Sequence, residues 1–187
     1  MGSGRDENKK GNVMTDSKNL RDENGMTEEE FLSKYKPGDY PKPSLTADIL
    51  IFRRRGEDVH LLMIRRRNHP FMGCMALPGG FAEPGETIQT SAARELEEET
   101  HLTDQKLQLT GVYSAPGRDP RGWTVSVAFA TLVDGDKLKP SAGDDAASLQ
   151  WIPVKCGEDG SYYPVTEEKV ACDHLDIITD AARIVLG

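Results

Sequence analysis

The sequence predicts an α/β domain in which a mixed β-sheet is held between helices. Three observations lead to it. Segments of alternating apolar residues, SLTADILIF at 44–52 first among them, stand before and after one central helical stretch at 87–100. Residues 167–186 set Val170, Leu175, Ile178, Ala182 and Val185 at helical spacing, so an amphipathic helix closes the chain. At 187 residues the chain is long enough for one compact core and short for two.

Taken in order, residues 1–25 are rich in Gly, Asn, Asp, Lys and Ser, and only Val13, Met14 and Leu20 offer anything to a core. A disordered leader is expected there. Residues 26–43 read as a short helix and a linker. TEEEFLSKY at 27–35 places Thr27 as N-cap with Glu30 completing a capping box, and Pro37, Gly38, Pro41 and Pro43 prevent the helix from continuing. The domain proper spans 44–187. Its first strand ends in Arg53, Arg54 and Arg55, and Gly56-Glu57 turns it into a hairpin partner, VHLLMIRRR at 59–67. A short apolar piece at 75–77 precedes Pro78-Gly79-Gly80. Strands are expected again at 106–114, 123–133 and 149–154.

Composition narrows the function classes. A hydrophobic fraction of 37% and a charged fraction of 29% describe a soluble chain. No apolar run approaches the ~18 residues of a membrane span, and no signal-like segment opens the sequence. Cys74, Cys156 and Cys172 are odd in number and widely spaced, which gives neither a disulfide framework nor a metal pair and fits a reducing cytoplasm. A net charge of −8 opposes polyanions, so neither nucleic acid nor membrane is an expected partner. A phosphorylated small molecule would need local help from a metal ion, an arginine or backbone N–H groups.

The central helix supplies a place for that help. At about 100° per residue, Glu95 and Glu99 fall along the stripe of Ile88, Ala92 and Leu96, with Glu98 beside them. Three carboxylates at that spacing repel one another and resist desolvation. A divalent cation would resolve the conflict, and all-oxygen ligands favour Mg²⁺ or Mn²⁺. Gly79 and Gly80, just upstream, allow close backbone approach to a ligand. Arg94 can pair with Glu86 or hold a metal-binding glutamate in place.

Gly80, five residues, Glu86, seven residues, then Arg94-Glu95-Leu96-Glu97-Glu98-Glu99-Thr100-His101-Leu102 resembles the Nudix box, in which a bulky aliphatic follows the last glycine. Every specified position matches except His101, which stands where the family has glycine. That position is a helix end, where a left-handed conformation is common and histidine is tolerated. The resemblance implies a Nudix-type α/β/α sandwich and metal-dependent hydrolysis of nucleoside diphosphates linked to another moiety. Carried over by position, it makes Glu95, Glu98 and Glu99 the metal ligands, with the Gly79 carbonyl as a further one.

PGRDPRG at 116–122, feeding the strand at 123–133, resembles the ADP-ribose branch of that family, which includes the nucleotide-sensing domains of some bacterial transcription regulators. KPSLTADILIF and NHPFMGCMALPGGFAEPGE share its flavour, and the resemblance spans roughly 41–154. In an acidic chain, Arg118 and Arg121 are candidate phosphate clamps. One of Arg65, Arg66 and Arg67 is a third, with Arg66 the choice and Gly80 beside it; alternation turns at least one of the three away. Glu98 is the first choice for the base that activates water, with Asp144 or Asp145 second. His60, His69 and His174 have no clustered partners and default to structural or surface roles.

The expected activity is cleavage of ADP-ribose to AMP and ribose 5-phosphate. Two alternatives stay open: the same chemistry on a damaged nucleoside triphosphate or dinucleotide, and a non-catalytic ADP-ribose sensor. Such regulators carry a DNA-binding domain after the Nudix portion, and this chain ends at Gly187 with every box carboxylate in place, which favours the enzyme. The expected partner is a nucleotide substrate, with a homodimer as the assembly considered.

Overall fold

The computed structural model describes residues 20–135, 138–142 and 146–187. The chain divides into two compact units, Met1–Pro41 and Lys42–Gly187. Residues 1–19 of the expected leader lie outside the described residues. From Leu20 to Gly25 the first unit forms a turn: Arg21 Nη1 donates to the Gly25 carbonyl, and the Asp22 carboxylate accepts from the Asn24 and Met26 N–H groups. Helix α1 (Glu28–Lys34) comes next with the expected capping box, Thr27 accepting from the Glu30 N–H and Glu30 reaching back to the Thr27 N–H.

The second unit contains β1 (Ser44–Arg55), β2 (Asp58–Arg66), β3 (Met75–Ala76), β4 (Gly79–Phe81), α2 (Ile88–Thr100), β5 (Gln108–Tyr113), β6 (Thr124–Asp134), β7 (Ala146–Cys156), β8 (Tyr162–Pro164) and α3 (His174–Leu186). One sheet runs in the order β5-β6-β1-β2-β7-β8, with β3 added to β2 and β4 to β1. It is mixed: β1 and β6 run parallel from Ser44 opposite Thr124 to Arg54 opposite Asp134, while β1 and β2 are antiparallel.

Period-two alternation builds two cores from the central strands. Ala47, Ile49 and Ile51 of β1, with Val127 and Phe129 of β6, meet Ala92 and Leu96 of α2. Leu50 and Phe52, with Ala128 and Ala130, meet Ile177, Ile178, Ala181 and Ala182 of α3 on the other face. The result is the expected α/β/α sandwich. Each fully buried Ile, Leu or Phe contributes about 1.5–3 kcal/mol, so the β1 run is the central stabilising element.

The register of β1 opens the sheet where the site forms. One edge of β1 pairs with β2 over Phe52–Arg55 and with β4 over Thr46–Asp48. Strand β2 therefore parts from β1, and the segment from β3 to β4 fills the gap, with the Ile49 N–H donating to the Pro78 carbonyl at 2.8 Å. Neither β4 nor β8 is legible in the sequence, which gives each only three residues.

The C-terminal helix is shorter than expected. It starts at His174 rather than 167, because Val170 bridges Met75 and the Ala171 N–H bonds the Met75 carbonyl, holding this stretch extended. Cys172 then adopts φ +48°. Leu175, expected to face the core, is half exposed, and Ile177 takes the buried place. No helix among the described residues is long and apolar enough to cross a membrane.

Candidate active site

Helix α2 starts at the Thr87 N-cap, whose side chain accepts from the Thr90 N–H, and ends at His101 with φ +56° and ψ +25°. His101 thus takes the left-handed conformation expected of the family glycine. Its ring bonds the Ser141 carbonyl at 3.1 Å, while the Ser141 N–H bonds the Thr100 carbonyl at 3.0 Å. The histidine ties a loop to the helix end.

Beside the N-terminal part of β4 lies a cleft of about 380 Å³ lined by Glu95, Glu98 and Glu99 together with Gly79, Gly80, Phe81, Arg66, Arg67, Arg94 and Arg121. Four arginines and four glutamates line it, Glu83 being the fourth acid, so the −8 chain offers a charge-balanced recess rather than a repulsive one. Glu99 is buried and accepts the Gly79 N–H at 2.8 Å. Both glycines are required by space, and Gly79 also by its dihedral: it has φ +148° and any Cβ would collide with the Ala47 carbonyl, while a Cβ on Gly80 would stand 2.5 Å from the Glu95 carboxylate.

Arg94 is the hub. It donates to Glu86 through Nε at 3.0 Å and Nη2 at 3.2 Å, to Glu95 and Glu98 through Nη1 at 2.7 and 3.1 Å, and to the Phe81 carbonyl at 3.0 Å. Hydrogen bonds from Arg94 and then Ser91 hold the Glu86 carboxyl down to about 2. The carboxylate repulsion that the sequence assigns to a cation is thus met in part by a guanidinium. Among the described residues no three acidic, histidine or cysteine side chains converge as a ready-made metal cage. The donor chemistry nonetheless fits a hard divalent cation: three carboxylates border one cleft, the Gly80 backbone leaves the Glu95 carboxylate a cradle that a Cβ would fill, and Glu98, 57% exposed, has freedom to turn from Arg94.

The two loop arginines separate. Arg118 is 5% exposed and forks onto Asp173, the residue before α3, through Nε at 2.7 Å and Nη2 at 2.6 Å. This pair holds the loop against the start of α3, and Arg118 lines a neighbouring recess together with Arg66, Gly79, Gly80 and Arg121. Arg121 is 39% exposed, forks onto Asp119, and lies 4.7 Å over the Phe81 ring in the cleft wall. Its hydrogen bond holds the Asp119 carboxyl below the usual range. Of the β2 arginines, Arg66 lines the cleft and donates to the Pro70 carbonyl at 2.8 Å, while Arg65 turns to Gly73 and Glu168. Asp144 and Asp145 lie outside the described residues.

Beneath the glycines is a buried polar group that the sequence does not reveal. Asp48 accepts from the Ser126 hydroxyl, and His174 takes the Leu77 N–H on Nδ1 at 2.9 Å with Nε2 3.9 Å from Asp48. His174, expected to be unclustered, is buried here, and burial pushes its pKa down. Asp48 offers one sequence signal, a lone carboxylate inside an apolar strand.

Residues 42–159 match the profile described as the NUDIX domain. The ADP-ribose pyrophosphatase of Methanocaldococcus jannaschii is 42% identical over 81% of this chain and 79% of its own length. The ADPR responsive transcriptional repressor NtrR of Acinetobacter baylyi is 35% identical over 84% of this chain, which spans 60% of the repressor. Among solved structures, the NUDIX domain of Shewanella oneidensis NrtR complexed with ADP ribose superposes with a TM-score of 0.72 at 28% identity, covering 87% of this chain and all of that one.

Proposed function

The chain belongs to the NUDIX domain family as a pyrophosphohydrolase, and on that footing we propose that its substrate is ADP-ribose, cleaved with Mg²⁺ or Mn²⁺ to AMP and ribose 5-phosphate. The observation that carries this reading is that Glu95, Glu98 and Glu99 line one cleft together with Arg121, Gly79 and Gly80. The 42% identity to an ADP-ribose pyrophosphatase supports the choice of substrate.

Glu95, Glu98 and Glu99 would hold the divalent cation, which when bound neutralises the pyrophosphate and activates water. The other groups act directly. Arg121 donates to non-bridging phosphate oxygens from the cleft wall, and Arg66 lines the same recess. Glu98, the most exposed of the three carboxylates, takes the proton from the attacking water. Arg94 sets the orientation of Glu95 and Glu98, and Gly80 keeps the floor free of a side chain. Water attack leaves one phosphate on each half of the substrate, so the products are diagnostic.

Chromatography of a reaction with ADP-ribose and Mg²⁺ tests the proposal, with AMP and ribose 5-phosphate expected in equal amounts. Turnover of nucleoside triphosphates or dinucleotides with none of ADP-ribose would replace the substrate and keep the chemistry. The similarity to NtrR supports a second reading, an ADP-ribose sensor. Tight ADP-ribose binding without turnover of any nucleotide would favour it.

A further inference from the structure

We infer that His174 is a positioning residue for the carboxylate cleft, holding the backbone of Leu77–Gly79 in place from the opposite side of the sheet. The inference rests on the proposed hydrolase reading for its kinetic consequence. Its structural basis is independent of the substrate.

Three consecutive residues are held by three different elements. The Leu77 N–H donates to His174 Nδ1 of α3 at 2.9 Å, and the Gly79 N–H donates to Glu99 of α2 at 2.8 Å. Between them the Pro78 carbonyl accepts the Ile49 N–H of β1 at 2.8 Å. Proline has no N–H, so Leu77 and Gly79 provide the only two backbone donors of this segment, one answered by each helix. Leu77 is 2% exposed. Water therefore offers its N–H no substitute for the imidazole.

The ring is set up for this task. Accepting on Nδ1 requires a neutral imidazole with its hydrogen on Nε2, and burial favours that neutral form. Nε2 faces the Asp48 carboxylate, whose other oxygen takes the Ser126 hydroxyl. Asp48 is also the register partner of Gly79. The start of α3 is pinned in turn, since Asp173 holds both nitrogens of the Arg118 fork. His174 thus links a fixed helix end to the strand that carries Gly79 and Gly80 beneath Glu95 and Glu99.

A packing role and a positioning role predict different variants. His174→Leu fills much of the space and removes the acceptor, whereas His174→Asn is smaller but places Oδ1 near the position of Nδ1. Positioning predicts that His174→Leu lowers kcat by about ten- to hundred-fold, as displacement of order 1 Å does, with KM within about two-fold. His174→Asn should recover most of kcat. Amide exchange at Leu77, read by NMR on the full chain, should accelerate in His174→Leu and slow again in His174→Asn. Should His174→Leu fail to fold, His174→Gln, whose acceptor lies one bond too far out, replaces it in the comparison. Unchanged Leu77 exchange and full kcat in the acceptor-poor variant, or an Asn variant no better than it, would overturn the inference. If the wild type does not turn over ADP-ribose, the substrate proposal fails alone, and Leu77 exchange still decides the role of His174.

Discussion

Replacing Gly80 by alanine probes the cleft at its tightest point. The added Cβ would stand 2.5 Å from Cδ and both oxygens of the Glu95 carboxylate. Ordinary contact needs about 3.5–4.0 Å, so the carboxylate must retreat by about 1 Å. Glu95 is 13% exposed and bonded to Arg94 at 2.7 Å. Arg94 cannot simply follow, because Glu86 and the Phe81 carbonyl hold its other nitrogens. The displacement therefore stretches a charge-assisted hydrogen bond. Such a bond is worth about 1.5–3 kcal/mol when buried, and partial exposure of the guanidinium reduces that to roughly 1–2 kcal/mol. In a domain of this size Tm should fall by about 2–8 °C. The activity cost is larger, because a group misplaced by about 1 Å can cost on the order of 100-fold in kcat. Thermal unfolding and initial rates with ADP-ribose at saturating Mg²⁺ measure the two together. Gly38→Ala is the control, since nothing stands within 4 Å of a Cβ there and its φ is ordinary. Wild-type kcat in Gly80→Ala would show that Glu95 is not part of the reacting site, whatever happened to Tm.

The other predictions are shorter. Glu98→Gln and Glu99→Gln should each lower kcat by orders of magnitude with the fold intact by circular dichroism, and near-wild-type turnover in both would remove the cluster from the mechanism. Arg118→Ala should lower Tm by roughly 6–12 °C with little change in kcat/KM, since breaking a buried pair costs about 3 kcal/mol, whereas Arg121→Ala, which leaves the buried Asp119 carboxylate without its fork, should lower Tm and also lower kcat/KM by about ten- to hundred-fold; wild-type kcat/KM in Arg121→Ala would remove it from the substrate site. Glu86 has a folded pKa of about 2, below its usual 4.5, so its stabilising contribution is complete above pH 4.5 and is lost as pH falls towards 2. Glu86→Gln should flatten that part of the Tm-versus-pH curve, and an unchanged acid limb would argue against the Arg94 pairing. His101→Gly trades relief of the left-handed φ, about 1 kcal/mol, against loss of the Ser141 hydrogen bond of similar size, so Tm should move by no more than about 3 °C and kcat not at all.

The sequence discloses the fold wherever periodicity and length act together. The β1 segment carries nine residues of apolar alternation, and Thr27 with Glu30 specifies a helix start by local chemistry alone, so both are legible. Strands β4 and β8 are three residues long, below the length at which a period shows, and only pairing to β1 and β7 makes them strands. The early part of the C-terminal segment misleads for a related reason. Val170 fits a helical stripe, yet its contact with Met75 is a long-range bridge that no local pattern encodes.

The site divides along the same line between local and distant partners. Glu95, Glu98 and Glu99 lie on one helix, so their common face follows from about 100° per residue. Arg94 can be placed beside them for the same reason. Arg118 and Arg121 are three residues apart in one loop and chemically identical, and nothing in that loop says which is available to a ligand. The choice is made some fifty residues later in the chain, where Asp173 precedes α3 and captures Arg118, leaving Arg121 to bond its neighbour Asp119 and lie over Phe81. His174 follows Asp173 directly, so the same helix start that pairs with Arg118 also delivers an imidazole to the Leu77 N–H. A basic residue's presence near a phosphate site is therefore readable from sequence, but its availability depends on which carboxylate the fold brings to it. For Arg118 that carboxylate is Asp173, at the start of α3, and for Arg121 it is the adjacent Asp119.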